Sequence, residues 1–439
     1  MKSHEEPGAA AITERESRMG RFGWFVAAAM AIGGFYVGKG LGPAPVSFPE
    51  AEDALNAAEM EGQVARVLAG PRAFPRASAL VRLCEGLTVE NVEGAARAIR
   101  SRAGENDPVD LQIFLTAWTH LDPTAAMREV QGWPIRSRRE IGIRTVMREW
   151  AASGRQLEAG NYFDSLTDPD QRALAAVPLV RGWALSGDTE GALALARRFW
   201  EAEGRHDVVD GLMRGVLHAQ GAAGTFALAR RVDPQTGDEF AQAVARTALG
   251  LAGREDPPAA AAYYDELSES GSTSWLEGTL VRLAGLLRNE SPAAALEWLV
   301  PKAEGPERSR ALTETMGTWA KRDFDTAWNW FETHREATRA DSASPLTPTD
   351  SALLSGLVRR MARIRPAEAA AWAMKLRPGA DRVEMLRRVA YFWSMGDATA
   401  ADRWIAGLVV PAKELAQVRE AAEWGRSGAH SERGDRIAE

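Results

Sequence analysis

Leu179–Ala192, with the sequence LVRGWALSGDTEGA, decides the fold class of this chain. Its apolar residues have helical spacing and end on Trp183, and they are followed by a Gly187-Asp188 turn and by Ala192. An aspartate in such a turn can accept hydrogen bonds from the free amides that begin a helix. The stretch therefore predicts two helices joined by a tight turn, which is one hairpin of an all-α protein.

Positions equivalent to Trp183 return about every 34 residues. Successive steps are between 31 and 35 residues long, except for one step of 42. We call these positions anchors, and the helix that each one closes is the first helix of its repeat. The ten anchors are Leu87, Trp118, Trp150, Trp183, Leu217, Ala252, Leu287, Trp319, Met361 and Trp393. A fixed period of this size indicates stacked helical hairpins over residues 75–425, and the long step predicts a loop insertion at 338–350.

The repeats share features that predict how their helices begin and pack. A capping residue follows many anchors by four residues, as in Asp256-Pro257 and Ser291-Pro292, where proline suits the first helical position. Alanine lies eight residues after seven anchors, which predicts close packing within each hairpin. These alanines are Ala95, Ala126, Ala260, Ala295, Ala327, Ala369 and Ala401. Glycine two residues before an anchor predicts a close helix crossing at Gly215, Gly250, Gly285 and Gly317.

Leu179–Ala192 resembles the tetratricopeptide (TPR) family, a helix-turn-helix repeat of 34 residues. The matching features are the end of the first helix, the Gly-Asp turn and the alanine of the second helix. The resemblance implies a right-handed α-α superhelix of about ten helical hairpins, with a concave groove. Another α-α solenoid of similar period is the alternative.

A membrane anchor is predicted before the repeats. Residues 22–38 are uncharged and mostly apolar, and together with Lys39 they predict a transmembrane helix at 22–40. Basic residues precede this segment at Arg15, Arg18 and Arg21, so the positive-inside rule places residues 1–21 in the cytoplasm. The repeats then lie in the periplasm of a bacterium. A cleaved signal peptide is the alternative.

The remaining segments complete the predicted organisation. Residues 41–74 are expected to form a linker and a lead-in helix, and residues 426–439 a disordered tail. Gly34 and Gly38 form a GxxxG pattern, through which two anchors could pair as a homodimer.

Arginine provides the only candidate binding constellation in the repeats. Six arginines lie six or five residues before their anchors, which places them on the first helix away from its apolar stripe. They are Arg144, Arg246 and Arg387 at the first position and Arg82, Arg282 and Arg388 at the second. Guanidinium groups one repeat apart could hold the carboxylates of an extended peptide or an acidic glycan. The alternative is that these arginines pair with the acidic residues of adjoining repeats or simply stay solvated.

Composition restricts the classes of function. The 53 basic and 60 acidic residues give a net charge of −7, and no tract of basic residues is present, so nucleic acid is not an expected partner. The six histidines and the single cysteine have no metal-binding spacing, and we expect no metal, cofactor or enzymatic activity. The sequence favours a membrane-anchored scaffold or adaptor for protein-protein interaction. A glycan-binding or glycan-cleaving protein with a carboxylate pair in the groove is the alternative.

Overall fold

The computed structural model describes residues 55–70, 73–101, 107–234, 237–269, 274–338, 346–376 and 378–427. Within these ranges the regular structure consists of 21 α-helices and two short 3₁₀ helices. The all-α prediction is confirmed. The predicted cytoplasmic tail at 1–21 and transmembrane helix at 22–40 lie outside the described residues. In the described part of the chain, no helix combines the length and apolar character that crossing a membrane requires.

The chain divides into two compact units at Gly221. This glycine interrupts α10 with a φ of 67° and a ψ of −170°, which are not helical values. The first unit contains α1 (Ala57–Leu68), α2 (Ala73–Glu85), α3 (Val92–Ser101), α4 (Pro108–Leu121), α5 (Pro123–Gln131), α6 (Arg136–Ala152), α7 (Gln156–Ser165), α8 (Pro169–Leu185), α9 (Thr189–Glu203) and the part of α10 (Val208–Arg231) that precedes Gly221. The first helices of its repeats pack side by side, as α4 does on α6 and α6 on α8.

The second unit has the same internal arrangement. It contains the rest of α10, then α11 (Glu239–Leu251), α12 (Pro257–Glu269), α13 (Thr279–Glu290), α14 (Pro292–Leu299), α15 (Pro306–Arg322), α16 (Phe324–Thr338), α17 (Pro348–Ile364), α18 (Pro366–Ala373), α19 (Ala380–Gly396), α20 (Ala398–Ala406) and α21 (Ala412–Ser427). The first helices α13, α15, α17, α19 and α21 pack in sequence order, and the second helices α14, α16, α18 and α20 lie against them. Each unit is therefore a stack of helical hairpins.

The predicted period matches the helix boundaries. Seven of the ten anchors lie within three residues of the end of an α-helix. Leu87 and Ala252 follow α2 and α11 within two residues, and Leu217 lies four residues before the interruption at Gly221. α1 occupies the place of the predicted lead-in helix. The predicted loop insertion at 338–350 overlaps helices at both ends, because α16 includes Thr338 and α17 begins at Pro348, and residues 339–345 lie outside the described residues.

Local chemistry explains why the hairpins turn where they do. The predicted capping residues accept hydrogen bonds from the starts of the second helices. These bonds join Asp122 to Ala125, Asp188 to Gly191, Asp256 to Ala259, Ser291 to Ala294 and Asp397 to Ala400, at 2.9 to 3.2 Å. The seven predicted alanines are all at most 1% exposed, as their expected packing role requires.

The predicted close helix crossing occurs at Gly215 but not at Gly285. A Cβ added to Gly215 would lie 2.6 Å from the Cβ of Ala184, so α8 and α10 approach too closely for a side chain there. At Gly285 the nearest atom would be 3.8 Å away, which is an ordinary contact. A tighter crossing that the sequence did not reveal occurs at Gly182, where a Cβ would overlap the main-chain oxygen of Arg148.

Candidate functional site

The six predicted arginines are divided between the two compact units. Arg82 and Arg144 belong to the first unit, whereas the other four belong to the second. Four side chains are exposed and form no ion pair with another described residue; they are Arg82, Arg144, Arg246 and Arg282. Their role in binding a ligand stays a prediction.

Arg387 and Arg388 differ from the other four because they share one carboxylate. Glu384 accepts a hydrogen bond from Nη1 of Arg387 at 3.0 Å and another from Nε of Arg388 at 3.1 Å. Arg388 is only 7% exposed. Burial lowers its pKa, and the nearby guanidinium of Arg359 lowers it further. The expectation that Arg388 presents its charge on an open surface is therefore wrong, because the side chain lies in the helix packing.

An open groove lies in the second unit between the first helices of three successive repeats, α15, α17 and α19. Its volume is about 600 Å³, which is within the range of typical ligand sites. Polar side chains make up much of the lining: Ser309, Arg310, Thr313, Glu314, Ser351, Ser355, Arg359 and Asp381. Thr313 and Ser355 lie six residues before their anchors, and Glu314 lies five residues before its anchor. α15 and α17 carry no arginine at the positions six and five residues before their anchors.

Arg359 is the cationic side chain in this lining that lacks a counter-charge. The groove's other arginine, Arg310, lies 3.7 Å from Glu314. Arg359 forms no ion pair with a described residue, and its buried Nε has no hydrogen-bond acceptor there. This Nε is itself out of reach of a ligand, whereas the half-buried side chain lines the groove and carries its positive charge there.

A polar stripe runs along α17 from Arg359. Ser351, Ser355 and Arg359 are four residues apart, so they share one helix face. Oγ of Ser355 donates to the main-chain oxygen of Ser351 at 2.8 Å, which leaves its lone pairs as acceptors. Oγ of Ser351 is buried and has no hydrogen-bond partner among the described residues. Of this stripe, Arg359 can offer donors to a ligand and Ser355 can offer an acceptor.

Sequence reasoning missed Arg359 because it lies two residues before its anchor. Glycine holds that position in four other repeats and was interpreted as a packing residue. The tripeptide Leu-Val-Arg was an available signal, since it occurs four times and ends at Arg82, Arg181, Arg282 and Arg359.

Arg181 occupies the same position in the first unit and is half-buried. Burial lowers its pKa, as do Arg148 and Arg214 on the neighbouring first helices. Those two arginines are paired, at 2.7 Å with Glu149 and at 2.6 Å with Asp210. Arg181 forms no ion pair with a described residue, and its buried Nε has no acceptor there. Each unit therefore contains, at this register, an arginine that forms no ion pair with a described residue.

Other reactive groups in the described residues do not form a site. No group of three or more histidine, cysteine, aspartate or glutamate side chains in those residues could hold a metal ion. Cys84 is buried, and burial raises the pKa of its thiol, which opposes formation of a nucleophilic thiolate.

Comparison with known proteins adds no family assignment. No family model matches the chain, and neither a curated protein nor a solved structure matches it. The candidate site must therefore be judged from its own geometry.

Proposed function

We propose that this protein is a helical-repeat scaffold that binds a partner protein through the groove of its second unit. The observation that supports this proposal is an open, polar groove of about 600 Å³ that is lined by Arg359, which forms no ion pair with a described residue. Consecutive first helices form its walls, so the side chains that line it are held by rigid elements. A binding surface of this kind needs no catalytic group, and it is the usual function of stacked helical repeats.

The finer features belong to the same proposal. We propose that the hairpins follow the right-handed TPR-like arrangement, which would place the groove on a concave surface. The segment at 22–40 would anchor the chain in the inner membrane, with the repeats in the periplasm and residues 1–21 in the cytoplasm. Gly34 and Gly38 would allow two anchors to pair.

Site-specific photo-cross-linking tests the groove. A photoreactive amino acid is placed at Thr313 or at Ser355, both in the groove, or at Glu332, which is exposed on the second helix α16. We expect the same partner protein to be cross-linked from both groove positions in native membranes and not from Glu332. Equal cross-linking from all three positions, or none from the groove, would refute the proposal. Thermal unfolding of each variant confirms that the fold is intact.

Membrane anchoring is tested separately. We expect the full chain to stay in the membrane fraction after alkaline washing and a variant without residues 22–40 to be released. An alkaline phosphatase domain fused after Glu439 should be active in a bacterial host, because that enzyme folds only outside the cytoplasm. Release of the full chain, or an inactive fusion, would contradict the predicted location. Leucine at Gly34 and Gly38 should convert a detergent-solubilised dimer to a monomer.

The glycan alternative also has a specific counterpart in the groove, because Glu314 and Asp381 both line it. A carboxylate pair flanking a sugar is the usual arrangement of glycoside hydrolases. Purified cell-wall glycan should be cleaved by the protein and not by Glu314→Gln or Asp381→Asn if this alternative holds. No cleavage by the folded, unmodified protein would remove it.

A further inference from the structure

We propose that the groove of the second unit recognises an acidic side chain within an extended polypeptide segment, and that Arg359 binds its carboxylate. This inference rests on the proposed function, because it names the chemistry of the segment that the groove would accept.

The first argument is charge. Arg310 and Glu314 compensate each other within the groove, and Glu384 is shared by Arg387 and Arg388. Arg359 is left without a carboxylate among the described residues. A carboxylate placed at Arg359 would accept charge-assisted hydrogen bonds from its guanidinium, which are about twice as strong as neutral ones.

We expect the groove to select an acidic residue at one position only. Among its described residues, the groove lining carries Arg310 and Arg359 against Glu314 and Asp381, which gives these residues a formal charge of zero. Asp381 is exposed and forms no ion pair with a described residue, so it would repel a second acidic residue near the start of α19. We therefore expect one acidic residue at Arg359, and not a polyanion such as nucleic acid or a run of acidic residues.

The second argument is spacing. Residues four apart on a helix are separated by about 6 Å along its axis, and alternate residues of an extended peptide by about 6.6 Å. The spacing along the stripe of Ser351, Ser355 and Arg359 is therefore nearly equal to the spacing of side chains on one face of an extended segment. From Ser351 to Arg359 the axial distance is about 12 Å, which corresponds to about four extended residues.

Ser355 provides a partner for the backbone of this segment. Its Oγ already donates to the main chain and can still accept an amide N–H. Backbone hydrogen bonds of this kind are independent of sequence, so they would hold the segment while Arg359 selects the acidic side chain. The groove would thus combine general affinity with one specific contact.

Peptide pools test the inference directly. Heptapeptides with blocked termini are randomised at six positions and fixed in the middle as Glu, Gln or Lys. A further pool has Gln in the middle and a free carboxyl terminus. Each pool is applied to the immobilised full chain, and the retained fraction is measured. A charged hydrogen bond contributes about 1.5–3 kcal/mol, so we expect at least about tenfold enrichment of the Glu pool over the Gln pool.

Variants of the groove assign the selection to Arg359. Arg359→Gln should reduce the preference for Glu to less than about twofold, and Arg359→Glu should transfer the preference to the Lys pool. A reversed preference cannot arise from loss of the fold. Arg419→Gln is the matched control, since Arg419 is exposed on α21 in the same unit and forms no ion pair with a described residue. It should leave the preference unchanged.

Several outcomes would overturn the inference. Equal retention of the Glu and Gln pools would do so, as would a preference that survives Arg359→Gln. Stronger retention of the pool with a free carboxyl terminus would show that the groove selects chain ends. If these results occurred while the partner still cross-linked from Thr313 and Ser355, only the acidic specificity would be lost, and the proposed scaffold function would stand.

Discussion

Trp183 and Asp188 join the two helices of one hairpin through a single carboxylate. The indole Nε1 of Trp183 donates a hydrogen bond of 2.7 Å to Oδ2 of Asp188. Oδ1 of the same carboxylate accepts from the backbone N–H of Gly191 at 2.9 Å. The anchor at the end of α8 is therefore connected directly to the first turn of α9.

Removal of this carboxylate should destabilise the first unit more than loss of a simple helix cap. Asp188→Ala removes the cap and also the acceptor of the indole N–H, and we expect a loss of about 1.5–2.5 kcal/mol in the free energy of unfolding. Asp397→Ala is the matched control, because Asp397 caps α20 through Ala400 only and should cost about 1 kcal/mol. Urea unfolding followed by circular dichroism measures both values. Equal losses would show that the indole bond contributes nothing.

The same carboxylate should make stability depend on pH in the acidic range. The hydrogen bond from Trp183, followed by that from Gly191, lowers the pKa of Asp188 below its ordinary value of 3.8. The unfolded chain therefore binds the proton more tightly than the folded one. The contribution is fully present above the ordinary pKa and is lost as pH falls below it. We expect the stability difference between the protein and Asp188→Asn to shrink from pH 5 to pH 3, and a constant difference would contradict this.

Two glycine substitutions should have opposite effects. Gly182→Ala places a methyl group on the main-chain oxygen of Arg148, so α6 and α8 must separate, at a cost of about 1–3 kcal/mol. Gly285→Ala meets no atom closer than 3.8 Å, and better helix propensity should stabilise the protein by about 0.5–1 kcal/mol. Thermal unfolding of the two variants tests the comparison. Destabilisation by both would mean that α13 is more tightly packed than its distances indicate.

Arg181 should lower the free energy of unfolding of the protein. Its buried Nε has no acceptor among the described residues, and the like charge of Arg148 and Arg214 is only partly offset by Asp210 and Glu149. Replacing such a group with an apolar side chain of similar length is often stabilising, so Arg181→Met should raise the free energy of unfolding by about 1 kcal/mol. Arg419→Met, on an exposed face, should change it by less than about 0.5 kcal/mol. A large loss for Arg181→Met would reveal a partner of this guanidinium.

Much of the fold could be predicted because its determinants are local. Three examples depend only on residues within one hairpin: the helix cap at Asp188, the burial of Ala260 and the end of α15 three residues after Trp319. Equivalent positions recur in other hairpins because the repeat length is nearly constant. The predicted arginines six and five residues before their anchors do not line this groove, where Thr313, Ser355 and Glu314 hold the equivalent positions. The division of the chain at Gly221 was not predicted, because one glycine in a glycine-rich helix carries no distinctive signal.

The candidate site depends on contacts between repeats, which the spacing of residues along the chain does not encode. Sequence alone determined that the protein is built from helical hairpins, where they turn and which faces of the first helices stay polar. Only the tertiary structure decided which arginines keep a free charge. Arg388 is buried, and it shares Glu384, four residues before it on the same helix, with Arg387, whereas Arg359 lines the groove without a described counter-ion. The physical reason is that the neighbours packed on each helix decide whether a side chain is buried or lines an open groove, and the order of residues along one helix does not specify those neighbours.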